Sequence, residues 1–154
     1  MPRRPGGYHE CHRLREGQFR GGSDGQAVDG MLSSHVIRIQ VEKMTSDSIG
    51  IDVHAVKALR GAGEPFLLLD CREPDEHAIA KIDGAVLIPM QQIPERLAEI
   101  EAWRGKRIVV HCHHGGRSLR VTRFLRGHGF ETAQNMTGGI EAWSLEIDPT
   151  VPRY

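Results

Sequence analysis

Apolar residues fall into two kinds of short run, and the alternation of the two kinds is the strongest pattern along the chain. Phe66-Leu67-Leu68-Leu69 and Ile108-Val109-Val110 are unbroken, as in strands covered on both faces. Around them apolar residues recur at helical spacing. Val53, Val56 and Leu59 predict a helix with Asp52 as N-cap, ending at Gly61 or Gly63. Ile93, Leu97 and Ile100 predict another over 94–102 with Pro94 in its first turn, and Leu119, Val121, Phe124 and Leu125 a third over 117–126, ended by Gly127 or Gly129. A short helix is expected over 74–80, and further strands over 48–51, 85–88 and 132–136. Gly138-Gly139 reads as a turn, 140–143 as one helical turn with Trp143 inward, and 145–154 as an extended tail. Strands alternating with helices give an α/β fold, a central parallel sheet with helices on both faces.

The first part of the chain lacks this pattern. Seven of the first thirty residues are glycine and large apolar residues are few, so no buried face can form. Residues 1–43 read as a disordered or poorly ordered extension and 44–154 as one domain; Val36–Val41 reads as an added strand or an ordered linker. Arginines in the extension suggest a transit segment, but Glu10, Glu16, Asp24 and Asp29 interrupt them. Met31 and Met44 also leave open a start downstream of Met1.

Composition narrows the partners. Lys plus Arg and Asp plus Glu are both 20, so no global field recruits nucleic acid or an anionic membrane. No apolar run reaches bilayer length, and no secretory-type apolar core opens the chain. Cys11, Cys71 and Cys112 form an odd, sparse set with no CxxC pair, which argues for a reducing compartment, the cytoplasm by default.

The chemistry centres on Arg107 to Ser118. A buried strand ends at Cys112, Gly115 and Gly116 let the backbone curl, and a helix begins near Arg117. Several N–H groups can then point at the sulfur from a helix start. The helix dipole and Arg117 bias the thiol toward thiolate, its nucleophilic form. A cysteine that merely filled the core would need neither the glycine turn nor the cation. His111, Cys112, His113 and His114 are all metal-ligand types, yet four consecutive residues cannot converge on one tetrahedral ion and no second cluster completes a site. His113 and His114 read either as the lining of the pocket mouth, adding partial positive charge, or as exposed loop histidines with no role. Asp70 and Arg72, at the end of the neighbouring strand, read as support for the loop or as an ordinary ion pair; Cys71 reads as a buried filler or as a resolving thiol.

Four stretches together resemble the single-domain rhodaneses, a sulfurtransferase family: Leu-Leu-Leu-Asp-Cys-Arg-Glu-Pro-Asp-Glu at 67–76, Ile-Asp-Gly-Ala-Val-Leu-Ile-Pro at 82–89, His-Cys-His-His-Gly-Gly-Arg-Ser at 111–118, and Met-Thr-Gly-Gly-Ile-Glu-Ala-Trp at 136–143. The resemblance covers about residues 49–154. Two departures stand out. Cys71 occupies a position where the family commonly has Val, and Ala80-Lys81 one where it commonly has Gly-His. The resemblance implies that Cys112 takes a sulfane sulfur from thiosulfate or a persulfide donor, holds it as a persulfide and passes it to cyanide or a thiol. It implies that His113, His114, Gly115, Gly116 and Arg117 form the substrate-binding cradle, that Asp70 and Arg72 support it, and that no metal or organic cofactor is required. Phosphatases and arsenate reductases of related fold place the arginine six positions after the cysteine; here Cys112 and Arg117 are five apart, a loop that suits a single sulfur atom. Arg117, Arg120, Arg123 and Arg126 form a stripe on one helix, either a solvated face or a docking face for an acidic partner such as a sulfur carrier protein. The alternative function is a non-enzymatic module for sulfur delivery or docking.

Overall fold

A computed structural model of the chain describes residues 48–154. The reading of Val36–Val41 and the role of the extension lie outside the described residues. Five parallel strands, β1 (Gly50–Ile51), β2 (Leu67–Asp70), β3 (Val86–Leu87), β4 (Ile108–His111) and β5 (Ala133–Met136), form one sheet in the order β1-β5-β4-β2-β3. Among the described residues α1 (Val53–Ala62), α2 (Pro74–Ile79) and α3 (Gly116–Gly127) connect strands, and α4 (Gly139–Glu146) follows β5.

Local chemistry explains the helix ends. The Asp52 carboxylate accepts the Ala55 N–H at 2.8 Å, and Gly63 closes α1 in the left-handed region at φ 69°, as the sequence predicts. At α2, Glu73 and Glu76 form a reciprocal capping box ahead of Pro74.

Two elements differ from the sequence reading. Residues 94–102 form no α-helix; 3₁₀ turns at Met90–Gln92 and Leu97–Trp103 take their place. The Glu99 and Arg104 N–H groups donate three residues back, and the ion pairs Arg96–Glu99 and Arg104–Glu101 also span three residues, the spacing at which 3₁₀ side chains eclipse. The second difference is α4. It runs to Glu146 rather than for one turn, so the tail begins later and turns back to bury Val151.

Every residue of β2 and β4 is buried, and alternation sorts their side chains onto two cores. Leu67, Leu69 and Cys71 with Ile108, Val110 and Cys112 face one core, closed by Val121 and Leu125 of α3 and by Ile93 and Ile100. Leu68 and Val109 face the other, with Val53 and Val56 of α1 and Ile140 and Trp143 of α4. Among the described residues no helix is long and apolar enough to cross a membrane.

Candidate active site

The carboxyl ends of β2 and β4 meet in register, Asp70 beside His111, and the Cys71 N–H continues the ladder by donating to the His111 carbonyl at 3.0 Å. Cys112 therefore leaves the sheet at the point where open α/β folds place their ligand sites. The loop after it turns through Gly115, at φ 102°, and α3 begins at Gly116. A Cβ at Gly115 would stand 3.3 Å from the Gly138 nitrogen, so glycine is required both by the backbone conformation and by the approach of the next loop.

A second helix start fixes the loop from below. At the beginning of α4, the Ile140 N–H donates to the Cys112 carbonyl at 2.9 Å and the Glu141 N–H to the His113 carbonyl at 3.1 Å. With both carbonyls turned toward α4, the Gly115 N–H is left to face the sulfur. Gly139 makes this possible. Its φ is 59°, and a Cβ there would lie 2.2 Å from the His113 oxygen and 2.5 Å from that of Cys112.

Cys112 is 2 % exposed. Its sulfur accepts the Gly115 N–H at 3.1 Å and faces the Ser118 hydroxyl at 3.3 Å; that hydroxyl also lies 2.6 Å from Asn135 Oδ1. One hydroxyl proton serves one acceptor at a time, and donation to sulfur strengthens when the sulfur is ionised. The Cys112 thiol is held well below its ordinary pKa. Hydrogen bonding from the Cys71 thiol is the largest cause, followed, against the opposing effect of burial, by the Ser118 hydroxyl and the N–H groups of Ser118 and Gly115. Cys71 is pushed the other way, because its thiol donates to Cys112, is fully buried and lies beside the Cys112 charge.

Arg117 reaches the site differently from the sequence expectation. Its guanidinium forms a two-pronged pair with Glu76, at 2.6 Å on each prong, and Glu76 is lowered to about 2 chiefly by that pair. Its charge is thus shared with Glu76 rather than offered whole to Cys112. His113 stacks on His114 at 3.9 Å and on Tyr154 at 4.3 Å. Burial, then the neighbouring His114, lowers the His113 pKa, which works against a positive charge on His113 near neutral pH.

Asp70 and Arg72 are both fully buried, on the other side of the strand from the sulfurs. Arg72 donates to Asp70 Oδ1 at 2.9 Å and Oδ2 at 2.5 Å, to the Ala80 carbonyl at 2.7 Å and to the Tyr154 hydroxyl at 2.6 Å, while His77 Nδ1 lies 2.9 Å from Asp70 Oδ2. Burial alone would raise the Asp70 pKa; Arg72, His111 and His77 together bring it down to about 2. Tyr154 also reaches Glu76 at 3.1 Å, so one hydroxyl links the buried Arg72 pair to the Glu76–Arg117 pair beside the loop.

Sequence reasoning passed over Ser118, Asn135, Glu76, His77 and Tyr154. Ser118 stands inside the loop motif and follows Arg117 directly, so its place one turn into α3 was available as a signal. The others come from distant segments. The arginine stripe is divided by the fold: Arg117 is committed to Glu76, and Arg126 donates to the carbonyls of Ala133 and Ser48, leaving Arg120 and Arg123 exposed.

Similarity to known proteins agrees with this architecture. Residues 52–146 match the model of the rhodanese-like domain. A protein named Sulfurtransferase from Allochromatium vinosum is 34 % identical over 101 residues, which cover 66 % of this chain and 92 % of that protein. Adenylyltransferase and sulfurtransferase MOCS3-1 from Zea mays is 36 % identical over 113 residues, 70 % of this chain; the match spans only 24 % of that longer protein. The crystal structure of a rhodanese-like domain protein from Staphylococcus aureus superposes with a TM-score of 0.60 at 28 % identity, covering 70 % of this chain and 99 % of that one. With a matched segment that includes both the cysteine loop and the helix start beneath it, the chain belongs to the rhodanese-like domain family, some of whose members are named as sulfurtransferases.

Proposed function

We propose that the protein is a sulfurtransferase that moves sulfane sulfur from thiosulfate or a persulfide donor to a thiophilic acceptor through a persulfide on Cys112. The observation that carries this reading is the cysteine at the start of α3, whose sulfur accepts the Gly115 N–H at 3.1 Å with the Ser118 hydroxyl 3.3 Å away, a setting that favours the thiolate. In the first step the thiolate attacks the outer sulfur of thiosulfate; a sulfur–sulfur bond forms, the donor's own sulfur–sulfur bond breaks, and sulfite departs with its electron pair. Cys112 now carries a second sulfur bearing the negative charge. The loop N–H groups from His113 to Arg117 and the positive end of α3 stabilise that charge without reorganising. In the second step cyanide or a thiol takes the terminal sulfur and Cys112 leaves as thiolate. Neither step requires a metal or an organic cofactor.

Asp70 and Arg72 support the site in this reading by fixing the end of β2 against β4. The catalytic unit is residues 44–154 behind an extension, and the cycle requires a compartment that keeps Cys112 reduced, such as the cytoplasm. A sulfur carrier protein is a further fitting acceptor, and a relative named Adenylyltransferase and sulfurtransferase suits transfer within a larger sulfur-handling protein.

The test is sulfite release on addition of thiosulfate, followed by thiocyanate formation on addition of cyanide, for wild type and Cys112→Ser. Wild type should release one equivalent of sulfite and then turn over; the variant should do neither. Folded wild type that releases no sulfite would remove thiosulfate as donor and favour delivery or docking.

A further inference from the structure

We propose that Cys71 resolves the Cys112 persulfide internally, forming a Cys71–Cys112 disulfide and expelling the sulfane sulfur as hydrosulfide; this rests on the sulfur-loading reading above. The chain would then reduce sulfane sulfur at the expense of a thiol reductant as well as transfer it.

The case begins with register. Asp70 pairs with His111, and the Cys71 N–H bond to the His111 carbonyl carries the ladder one step further, so Cys71 and Cys112 are neighbours across parallel strands. Neighbouring strands are about 4.8 Å apart. That spacing lies within the roughly 4.4–6.8 Å between α-carbons that a disulfide spans. Both side chains also point to the same face, into the same apolar cluster with Leu69 and Val110. Alternation thus supplies the second requirement, that the two Cβ atoms be aimed together.

Burial makes the pairing selective. Cys71 has no exposed surface and Cys112, also buried, keeps 2 %, so a donor or acceptor admitted to the loop meets Cys112 first. The Cys71 thiol has two acceptors within reach, the His111 carbonyl at 3.2 Å and the Cys112 sulfur. It is directed at the His111 carbonyl and lies beside the Cys112 sulfur, so before loading it has no electrophilic sulfur to attack. Loading moves the negative charge outward onto the terminal sulfur and leaves the inner sulfur neutral and electrophilic. The charge beside Cys71 then lies one sulfur further away, while the burial of Cys71 is unchanged.

The step balances without an added oxidant. The Cys71 sulfur attacks the inner sulfur of the persulfide, the Cys71–Cys112 bond forms, and the bond to the terminal sulfur breaks. The Cys71 proton goes to the departing sulfur, which leaves as hydrosulfide with the electron pair. Both cysteines are oxidised by one electron each and the sulfane sulfur is reduced by two. A small thiol or dithiol then returns the disulfide to two thiols.

The experiment is a single turnover with thiosulfate at mildly alkaline pH, without reductant, on wild type, Cys71→Ser and Cys71→Val. Serine keeps a hydroxyl that can donate to Cys112 but cannot form the disulfide; valine is the residue common in the family. Sulfite, hydrosulfide and intact mass are read together. Wild type should release one equivalent each of sulfite and hydrosulfide and end two hydrogens lighter, with a Cys71–Cys112 bridge in its peptide map. Both variants should release sulfite, Cys71→Val more slowly because it lacks a donor to Cys112, and both should release no hydrosulfide and keep the added sulfur. Wild type that releases sulfite but keeps the sulfur would overturn the resolving step and leave the transferase reading intact. Hydrosulfide from the variants at the wild-type level would also overturn it, and no sulfite from any form would overturn it together with thiosulfate as donor.

Discussion

Two tripeptides at the ends of neighbouring strands, Asp70-Cys71-Arg72 and His111-Cys112-His113, carry opposite chemistry on opposite sides of one sheet. On one side two sulfurs sit in an apolar cluster with Leu69 and Val110. On the other, Asp70 and Arg72 form a buried ion pair joined by His77, with His111 Nε2 at 3.9 Å from the carboxylate. The pleat produces this separation, since successive side chains alternate. What it teaches is a division of labour. The Cys112 thiol pKa is lowered by short-range donors on its own side, Cys71, Ser118 and Gly115, and the ion pair on the far side is not among the main causes.

The sharpest break in this comparison is removal of the nucleophile. Cys112→Ser should lower sulfite release from thiosulfate by at least about a thousandfold, the scale seen when a nucleophile is removed, with the unfolding midpoint little changed. Next comes Gly139→Ala, which touches neither side chain set but forces the loop carbonyls away from α4. Misplacement of a reacting group by about 1 Å can cost about a hundredfold, and sulfite release should fall on that scale although the thiol is intact.

Asp70→Asn tests the other side. Leaving Arg72 buried without its carboxylate should cost about 3–5 kcal/mol of stability, read by urea unfolding, with a smaller effect on the pH profile of Cys112 alkylation. The linkage has a definite sign. Asp70 titrates at about 2 in the folded protein against 3.8 ordinarily, so its contribution is complete above the ordinary value and disappears as pH falls toward 2. Wild type should lose stability across that window, and Asp70→Asn should lose less there.

The smallest expected effect is the most discriminating. Ser118→Ala removes one donor to a charged sulfur, worth about 1.5–3 kcal/mol, so the Cys112 pKa should rise by about one to two units. Loading should drop in mildly acidic buffer and approach wild type in alkaline buffer, where both forms are thiolate.

Much of this was legible because it is local. The Asp52 cap, the unbroken strands at 67–69 and 108–110, and the order strand, Cys112, glycines, helix are each written in a few consecutive residues. The 3₁₀ turns at 90–103 were not, because Ile93, Leu97 and Ile100 satisfy an α-helical spacing while three-residue ion pairs favour the tighter winding. Partners from distant segments were also hidden: Glu76 meets Arg117 across 41 positions and Tyr154 meets Arg72 across 82. Arg117 illustrates the cost of that blindness, since spacing located it beside the loop but could not disclose the carboxylate that shares its charge. The position of Cys71 beside Cys112 likewise depends on register, which neither strand's sequence contains.

The most direct measurement is the pH dependence of alkylation at Cys112, followed by peptide mapping so that Cys71 is scored separately. If Cys112 is a thiolate held by Ser118, Gly115 and Cys71, its rate should stay flat from alkaline buffer down through neutrality and decline only in acid, with Cys71 unmodified throughout. A rate that instead falls with a midpoint near about 8.5, the value of an unperturbed cysteine, would contradict an activated nucleophile at the start of α3.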